Sequence, residues 1–298
     1  MRTFLAVEHA GSIKGAAAEL MVTQPSVSAG LAALEKEVGV RLAERRGRGV
    51  ALSPAGVAFA PYAAGVLAAL EEGRAAASLA MDPERQELRI AAVNTAGEYI
   101  VPPVLRAFMS RHPEIDITLE VSNRARVFRQ VELREADMGI GGSPPESGAL
   151  EGVPFLDNEH VVIVAPGSPF ASRRGLTFED LAGVAWLLRE DGSGTRIFAR
   201  ELLAGKGIKP RTMTIGSNGA IKQSVRTGLG VSLQSRHAVG LELATGMLAE
   251  ADLDDGIPRR KWFALYHRDG VRRPAADTFL RFLIGDEARQ AIAESLAV

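Results

Sequence analysis

The stretch that decides the fold is TQPSVSAGLAALEKEVG, residues 23–39. Thr23 is suited to cap a helix, because its hydroxyl can accept a hydrogen bond from a free first-turn N–H. Pro25 falls in the first turn, where its missing N–H costs nothing, and Gly39 is suited to end the helix. The apolar residues recur at helical spacing and are Val27, Leu31 and Leu34. The stretch therefore predicts a helix with a buried apolar face and an exposed polar first turn.

A second, shorter helix is predicted just before it, in IKGAAAEL (13–20), with Ser12 as its cap. Two short helices joined by about three residues have the geometry of a helix-turn-helix, whose second helix enters the DNA major groove with its first residues against base edges. Gln24, Ser26 and Ser28 are on the outward first turns, and glutamine can pair with adenine through two hydrogen bonds. Capped amphipathic helices also occur in ordinary helical bundles, so the helices alone leave that alternative open.

A basic segment follows, RLAERRGRGVALSPAG (41–56). Residues 41–48 contain four arginines and one glutamate, a net charge of +3. Gly47 and Gly49 predict a tight turn, and VALS predicts a short strand. This pattern is typical of a wing, a basic β-turn beside the DNA groove that contacts phosphate. A charged run is usually just a solvated surface, but its position directly after the helices favours the wing.

These residues together identify a resemblance: residues 4–56 resemble the winged helix-turn-helix of LysR-type transcriptional regulators. The shared motifs are Ala16-Ala17, Gln24-Pro25-Ser26-Val27-Ser28, Leu34-Glu35, Arg45 to Arg48 and Leu52-Ser53-Pro54-Ala55-Gly56. The chain departs from the family in having fewer residues before Phe4, and in having Ala29 and Gly30 where a long polar residue is common. The predicted DNA-binding residues are Ser12, Thr23, Gln24, Pro25, Ser26, Ser28, Arg45, Arg46 and Arg48.

The resemblance extends over essentially the whole chain of 298 residues. Residues 1–80 are rich in alanine and leucine with helical spacing, whereas β-rich runs alternate with helical segments from Leu88 onward, which predicts a mostly parallel α/β body. The resemblance implies two α/β subdomains like those of periplasmic solute-binding proteins, with crossings near Pro166 and Leu265. The predicted boundaries are 1–57 for the winged domain, 58–81 for a linker helix, 82–87 for a hinge, 88–165 with 266–298 for subdomain I, and 166–265 for subdomain II.

The linker helix carries an apolar stripe, predicted to comprise Val57, Ala60, Ala64, Leu67 and Leu70. In the family this helix pairs antiparallel with that of a second chain, so the resemblance implies a homodimer and, beyond it, a homotetramer. The alternative is a helix packed on its own body. The chain lacks cysteine, which excludes disulfides. No stretch reaches about 18 uncharged apolar residues, so no membrane span is expected.

Ligand is expected in the cleft of the α/β body, where strand ends and helix N-termini converge. Four strand-to-helix turns offer such positions, and DGSGTR (191–196) carries the most chemistry, with hydroxyls and a guanidinium suited to an anion. The predicted effector-binding residues are Asn94, Thr95, Gly142, Ser143, Gly192, Ser193, Gly194, Thr195, Arg196 and Asn218. An alternative role for Arg196 is a structural ion pair. The RE-x-GSGTR stretch looks like the family branch that regulates cysteine metabolism and carbon fixation, which implies a small anionic metabolite.

Catalytic patterns are poor: the five histidines are scattered, and neither a Gly-x-Ser-x-Gly elbow nor a metal-ligand spacing is present. The sequence therefore predicts a cytoplasmic regulator that is not an enzyme and has no cofactor or metal. Its predicted partners are double-stranded DNA, a small anionic metabolite and a second copy of the chain, and the resemblance allows RNA polymerase as well. Two alternatives are a solute-binding protein without a DNA role, and an α/β enzyme that uses DGSGTR as an anion cradle.

Overall fold

The computed structural model describes residues 1–46, 49–81, 86–254, 256–269 and 272–296. The chain divides into two compact units. The first comprises Met1–Pro83 with Glu132–Glu135, and the second comprises Glu84–Val131 with Ala136–Val298.

The first unit begins with three helices, α1 (Arg2–Ala10), α2 (Ile13–Leu20) and α3 (Gln24–Val38). The predicted caps are confirmed: the Ser12 hydroxyl accepts from Gly15 N at 3.0 Å, and the Thr23 hydroxyl accepts from Ser26 N at 3.3 Å. Gly39 ends α3 in the left-handed conformation, at φ 81°. The inward face of α3 is buried as predicted, at Val27, Leu31 and Leu34, and on α2 Ala16 and Ala17 are buried while Leu20 is partly buried.

A two-stranded antiparallel hairpin follows, formed by β1 (Ala43–Arg46) and β2 (Gly49–Leu52). The predicted tight turn involves Gly47, which lies outside the described residues, as does Arg48. Gly49 is required for a different reason than the turn: a Cβ there would lie 2.8 Å from the backbone oxygen of Gly11. Glu35 fixes the start of the hairpin, since its carboxylate accepts from the backbone N–H groups of Leu42 and Ala43 at 2.8 and 3.1 Å.

The long helix α4 (Pro54–Met81) begins at Pro54 with Ser53 as its cap, as the sequence predicts, and the Ser53 hydroxyl accepts from Gly56 N at 3.0 Å. The expected hinge at 82–87 falls largely on residues 82–85, outside the described residues. Its last two residues, 86 and 87, already belong to the first strand of the second unit.

The prediction that one apolar stripe on α4 runs from Val57 to Leu70 is wrong, because its residues do not share one environment. Ala60 is buried against the first unit, whereas Val57 and Leu70 are 62% and 51% exposed. Leu70 instead continues a separate exposed face with Tyr62 and Val66, at the i, i+4, i+8 spacing of one helix side. The correction arises because the hairpin and α1 cover one side of this helix, which the sequence pattern did not reveal.

One helix of the described residues is long and apolar enough, by length and composition, to cross a membrane. The window is Pro54–Glu71, with a mean hydropathy of 1.3, and Glu71 is its charged residue. The reason is its alanine content, which counts as apolar although each methyl offers little surface. Such a window is weak evidence for a membrane span, since core helices of other proteins meet the same criteria.

The second unit comprises two lobes: the first (86–158, 260–269 and 272–296) contains a five-stranded sheet, and the second (160–250) contains a three-stranded and a two-stranded sheet. The strands of the first are β3 (Gln86–Val93), β4 (Ile115–Ser122), β5 (Met138–Gly141), β6 (Leu150–Asn158) and β12 (Arg260–His267), in the order β4-β3-β5-β12-β6. The second lobe has the orders β10-β7-β11 and β8-β9, and its strands are β7 (His160–Val164), β8 (Trp186–Leu188), β9 (Thr212–Thr214), β10 (Ser232–Ser235) and β11 (Ala249–Glu250). A bridge between Trp186 and Val231 links β8 to the start of β10.

Helices cover these sheets. They are α5 (Asn94–Tyr99), α6 (Val101–Met109), α7 (Arg124–Glu132), α8 (Pro169–Ser172), α9 (Gly194–Gly205), α10 (Asn218–Arg226), α11 (Arg236–Ala244), α12 (Pro274–Leu283) and α13 (Asp286–Leu296). A 3-10 turn spans Glu179–Leu181. Each lobe has its own core, represented by Phe108, Met138 and Phe279 in the first and by Phe178, Trp186 and Leu188 in the second.

The α/β architecture is confirmed, but the sheets are mixed rather than mostly parallel. β3 pairs parallel with β4 and β5, whereas β12 runs antiparallel to β5 and β6, and β7 antiparallel to its neighbours. The crossings also differ from the predicted points near Pro166 and Leu265. The chain leaves the first sheet at Glu159 and returns between Glu250 and Arg260. β6 and β7 follow each other with one residue between them, so no Gly or Pro marks the crossing in the sequence.

Candidate nucleic-acid interface and ligand cleft

The first turn of α3 presents its polar side chains outward. Gln24, Pro25 and Ser28 are exposed, and among the described residues Gln24 and Ser28 have no hydrogen-bond partner. The turn before α3 places Met21 in the left-handed conformation, at φ 54°, with 92% of the residue exposed. This surface can therefore approach another molecule closely without first breaking contacts within the chain.

The other predicted residues of this region hold the turn in shape. Ser12 and Thr23 cap their helices, and the Ser26 hydroxyl lies 2.8 Å from the Thr23 hydroxyl. On β1, Arg45 and Arg46 are exposed, and neither forms an ion pair with another described residue. Arg48, predicted to act with them, lies outside the described residues.

The ligand cleft lies between the two lobes of the second unit and encloses about 560 Å³, part of it open to solvent. Its lining residues come from both lobes and from both crossings, and are Val93, Asn94, Thr95, Asn123, Arg124, Gly142, Asn158, His160, Arg189, Ser193, Gly194, Thr195, Arg260, Lys261 and Trp262. Six of the predicted effector residues are therefore brought together: Asn94, Thr95, Gly142, Ser193, Gly194 and Thr195.

The lining is strongly cationic, with four basic side chains and no Asp or Glu. Arg260 rests on the Phe198 ring at 4.7 Å and makes no hydrogen bond or ion pair with the described residues. Burial lowers the pKa of its guanidinium from the ordinary value, with a smaller opposing effect of Glu201. Arg124 donates to the Ser143 carbonyl at 3.2 Å, and Lys261 lies 3.8 Å from Asp157. An anion in the cleft would offset the cost of holding this positive charge.

The DGSGTR loop forms one wall of the cleft and leads into α9. Gly192 has a φ of +84°, and a Cβ there would lie 3.2 Å from the Asn123 amide nitrogen, so both the turn and the packing favour glycine. Ser193 is the N-cap of α9, yet its side chain makes no capping hydrogen bond. The first N–H groups of a twelve-residue helix are thus left without a side-chain cap beside the cleft.

Four predicted effector residues do not line the cleft. Gly192 shapes the loop, and Ser143 contributes its carbonyl to Arg124. Arg196 donates to the Arg189 carbonyl at 2.7 Å and to the Thr214 hydroxyl at 2.9 Å, and pairs with Asp191 at 3.0 Å. The Arg196 guanidinium therefore holds the loop in place. This is the structural role given above as the alternative to effector binding.

Asn218, the fourth, is buried behind the cleft wall, where it connects the lobes. Its amide nitrogen donates to the Thr95 hydroxyl and to Glu98, each at 3.3 Å, and its oxygen accepts from Arg189. Arg189 is 3% exposed and is also paired with Glu190 at 2.8 Å. Asn218 is thus placed to hold Thr95 and Arg189 in position.

Two further lining residues have unusual environments. The pKa of His160 is lowered to about 4, mainly by burial and next by the charge of Arg260. Trp262 is 4% exposed, and its Nε1–H is buried without a hydrogen-bond acceptor among the described residues.

The sequence prediction missed the residues that give the cleft its charge, Arg124, Arg189, Arg260 and Lys261, and missed His160 and Trp262. A signal existed for Arg124, which follows β4 and opens α7, the same position that singled out Thr95 and Asn218. Arg260, Lys261 and Trp262 form the basic start of β12, which no strand-to-helix turn marks.

Comparison with known proteins agrees with this architecture. Residues 1–57 match the model of the bacterial regulatory helix-turn-helix proteins of the lysR family, and residues 82–287 match that of the LysR substrate-binding domain. A RuBisCO operon transcriptional regulator of Allochromatium vinosum is 35% identical over 97% of this chain and 96% of its own. The transcriptional activator CmpR of Synechocystis is 33% identical over 98% of this chain and 96% of its own.

Among solved structures, the regulatory domain of CcmR from Synechocystis, in complex with 2-PG, superposes with a TM-score of 0.64 at 32% identity. The match covers 67% of this chain and 96% of that one.

Proposed function

The chain belongs to the LysR family of bacterial transcriptional regulators, DNA-binding proteins with an effector-binding domain, and we propose that its effector is a small phosphorylated carboxylate. The family consists of regulators and not of enzymes, and residues 1–57 account for DNA binding, so neither alternative from the sequence is retained.

The observation that carries the effector proposal is the lining of the cleft, with four cations, no acid, and hydroxyls at Thr95, Ser193 and Thr195. Guanidinium groups and uncapped helix N–H groups both bind phosphate and carboxylate oxygens well. The relative CcmR, 32% identical, was solved with 2-phosphoglycolate, which carries both groups on two carbons.

DNA reading is assigned in this proposal to the first turn of α3 and to the hairpin. Gln24 and Ser28, exposed and without internal partners, would meet base edges in the major groove. Arg45 and Arg46 would meet phosphates beside it, giving affinity that does not depend on sequence. Ser12, Thr23 and Ser26 would act by holding the turn that presents them.

Self-association is proposed through the exposed face of α4, Tyr62, Val66 and Leu70. Three large side chains aligned on one side of a helix, with glycine and alanine between them, allow a second helix to approach closely. We infer a homodimer through this face and a homotetramer at higher order, acting in the cytoplasm, where its DNA is found. RNA polymerase is a further proposed partner, because it is the enzyme whose transcription the protein regulates.

Regulation requires that the effector bind two lobe arrangements unequally. Thr95 and Asn94 lie at the first lobe, whereas Ser193 and Thr195 lie at the second, so a ligand that touches both stabilises one closure. A change in closure would alter how paired chains present their DNA-binding units.

The test is a thermal-shift titration with 2-phosphoglycolate, glycolate and inorganic phosphate. We expect 2-phosphoglycolate to raise the melting temperature most, since it occupies cations and hydroxyls together. The double substitution Thr95→Val and Thr195→Val should abolish the shift and leave DNA binding intact. Thr212→Val, an exposed threonine of β9, is the matched control and should keep the shift. A shift that survives the double substitution unchanged would move the site elsewhere.

A further inference from the structure

His160 is the first residue of β7, directly after the crossing between lobes, and it lines the cleft while only 7% exposed. Its ring packs edge-on against Phe198, with centroids 4.9 Å apart. Phe198 also supports Arg260 on its face. The imidazole is therefore held by packing on one side and faces the ligand space of a cationic cleft.

The hydrogen bonding of His160 determines which ring nitrogen carries the proton. Nδ1 lies 3.1 Å from the Asn158 carbonyl oxygen, which can only accept, so Nδ1 must be the donor. The lowered pKa, about 4, keeps the ring neutral at physiological pH. Nε2 then holds a lone pair and can only accept a hydrogen bond.

The other side-chain acceptors of the cleft are already engaged. The amide oxygen of Asn123 accepts from Arg126 N at 3.1 Å, and that of Asn158 accepts from the Ser235 hydroxyl at 2.8 Å. Asn94, oriented so that its nitrogen donates to Ser122 O at 3.3 Å, gives its oxygen to Arg189. Thr95, Ser193 and Thr195 can donate as well as accept. Among the described lining side chains, His160 Nε2 is thus the pure acceptor that has no partner.

Resting on the proposed effector class, we propose that the ligand presents an O–H donor to His160 Nε2, next to the anionic groups held by Arg260 and the α9 loop. Fully ionised carboxylate and phosphate oxygens only accept, so they would repel this lone pair. The donor is either a hydroxyl of the ligand or the proton of a singly ionised phosphate. His160 would select ligands by this group, while the cations supply affinity for the charges.

The experiment is calorimetric titration of the full chain with two matched pairs. The first is 2-phosphoglycerate against 2-phospholactate, and the second is 3-phosphoglycerate against 3-phosphooxypropanoate, so each pair differs by one hydroxyl. We expect one hydroxylated member to bind about tenfold more tightly than its partner, the worth of one good hydrogen bond. His160→Asn keeps a donor near Asn158 but removes the Nε2 acceptor, and should bring the ratio to about one. His160→Gln, which can place an oxygen near Nε2, should keep part of it.

His237→Asn is the control, since His237 is half-buried and is absent from the cleft lining, and it should keep the wild-type ratio. If the donor is the phosphate proton, both members of each pair bind equally. The affinity of the wild-type chain for each phosphorylated ligand then falls as the pH rises through the second phosphate pKa, about 6. His160→Asn should not show this fall. Equal affinities that do not change with pH, or discrimination retained in His160→Asn, would overturn the inference while leaving the anion site standing. Absence of binding by every phosphorylated carboxylate would refute the effector proposal itself.

Discussion

Replacing Gly56 by alanine should detach the long helix α4 from the hairpin. A Cβ at residue 56 would lie 2.0 Å from the Leu42 carbonyl oxygen, whereas ordinary contacts begin near 3.4 Å. The two backbones must therefore separate by about 1.4 Å. That movement breaks the 3.0 Å bond from Ser53 N to Leu42 O, worth about 1 kcal/mol, and strains a core in which Leu42 is fully buried, at about 1–3 kcal/mol. Better helix propensity returns about 1 kcal/mol, so we expect a net loss of about 1–3 kcal/mol.

Gly65→Ala in the same helix is the matched control. A Cβ there meets no atom of the chain within 4 Å, so we expect a gain of about 0.5–1 kcal/mol. Both variants are followed by far-UV circular dichroism and by tryptophan fluorescence during urea unfolding. Both tryptophans, Trp186 and Trp262, lie in the second unit, so the fluorescence transition should not move. Equal stabilisation by the two alanines would refute the argument from close approach.

Three further outcomes are expected. Replacing Gln24 and Ser28 by alanine should weaken operator binding by about 1–3 kcal/mol, with unchanged melting temperature; unaltered affinity in a gel-shift titration would remove α3 as the reader. Replacing Arg45 and Arg46 by alanine should weaken binding to any duplex and reduce the slope of log K against log salt by about one unit for each lost phosphate contact, and an unchanged slope would exclude the hairpin as a phosphate contact. The folded-state pKa of His160, about 4, lies below its ordinary 6.5, so the unfolded chain binds the proton first, and up to about 3 kcal/mol of stability should be lost as pH falls from 6.5 to 4. His160→Asn should lose this part of the pH dependence, measured by urea unfolding across that range.

Local chemistry explains which features the sequence predicted well. The caps at Ser12 and Thr23, the left-handed Gly39 and the apolar spacing of α3 each depend on residues within four positions, so one short stretch contains the whole signal. The hydroxyls at Thr95 and Ser193 were found for a related reason, because strand-to-helix turns can be recognised locally and their ends converge in α/β folds.

The missed features depend on contacts between distant segments. Arg260 reaches the cleft only because β12 returns across the lobes, and Arg196 leaves it only because β9 places Thr214 within 2.9 Å. The apolar face of α4 was misassigned for the same reason, since the hairpin and α1 decide which side is covered. Periodicity identifies that a helix has an apolar side but not which neighbour will cover it.

The two crossings have a consequence for how this protein can be redesigned as a biosensor. Asn158 and His160 flank the outgoing crossing, and Arg260 to Trp262 begin the returning strand, so hinge residues and cleft residues are the same residues. A substitution chosen there to accept a new inducer also changes the resting balance between open and closed lobes. Detection threshold and background expression would then shift together with ligand preference. Independent tuning of sensitivity is better sought at Thr195, which lies in the cleft but away from both crossings.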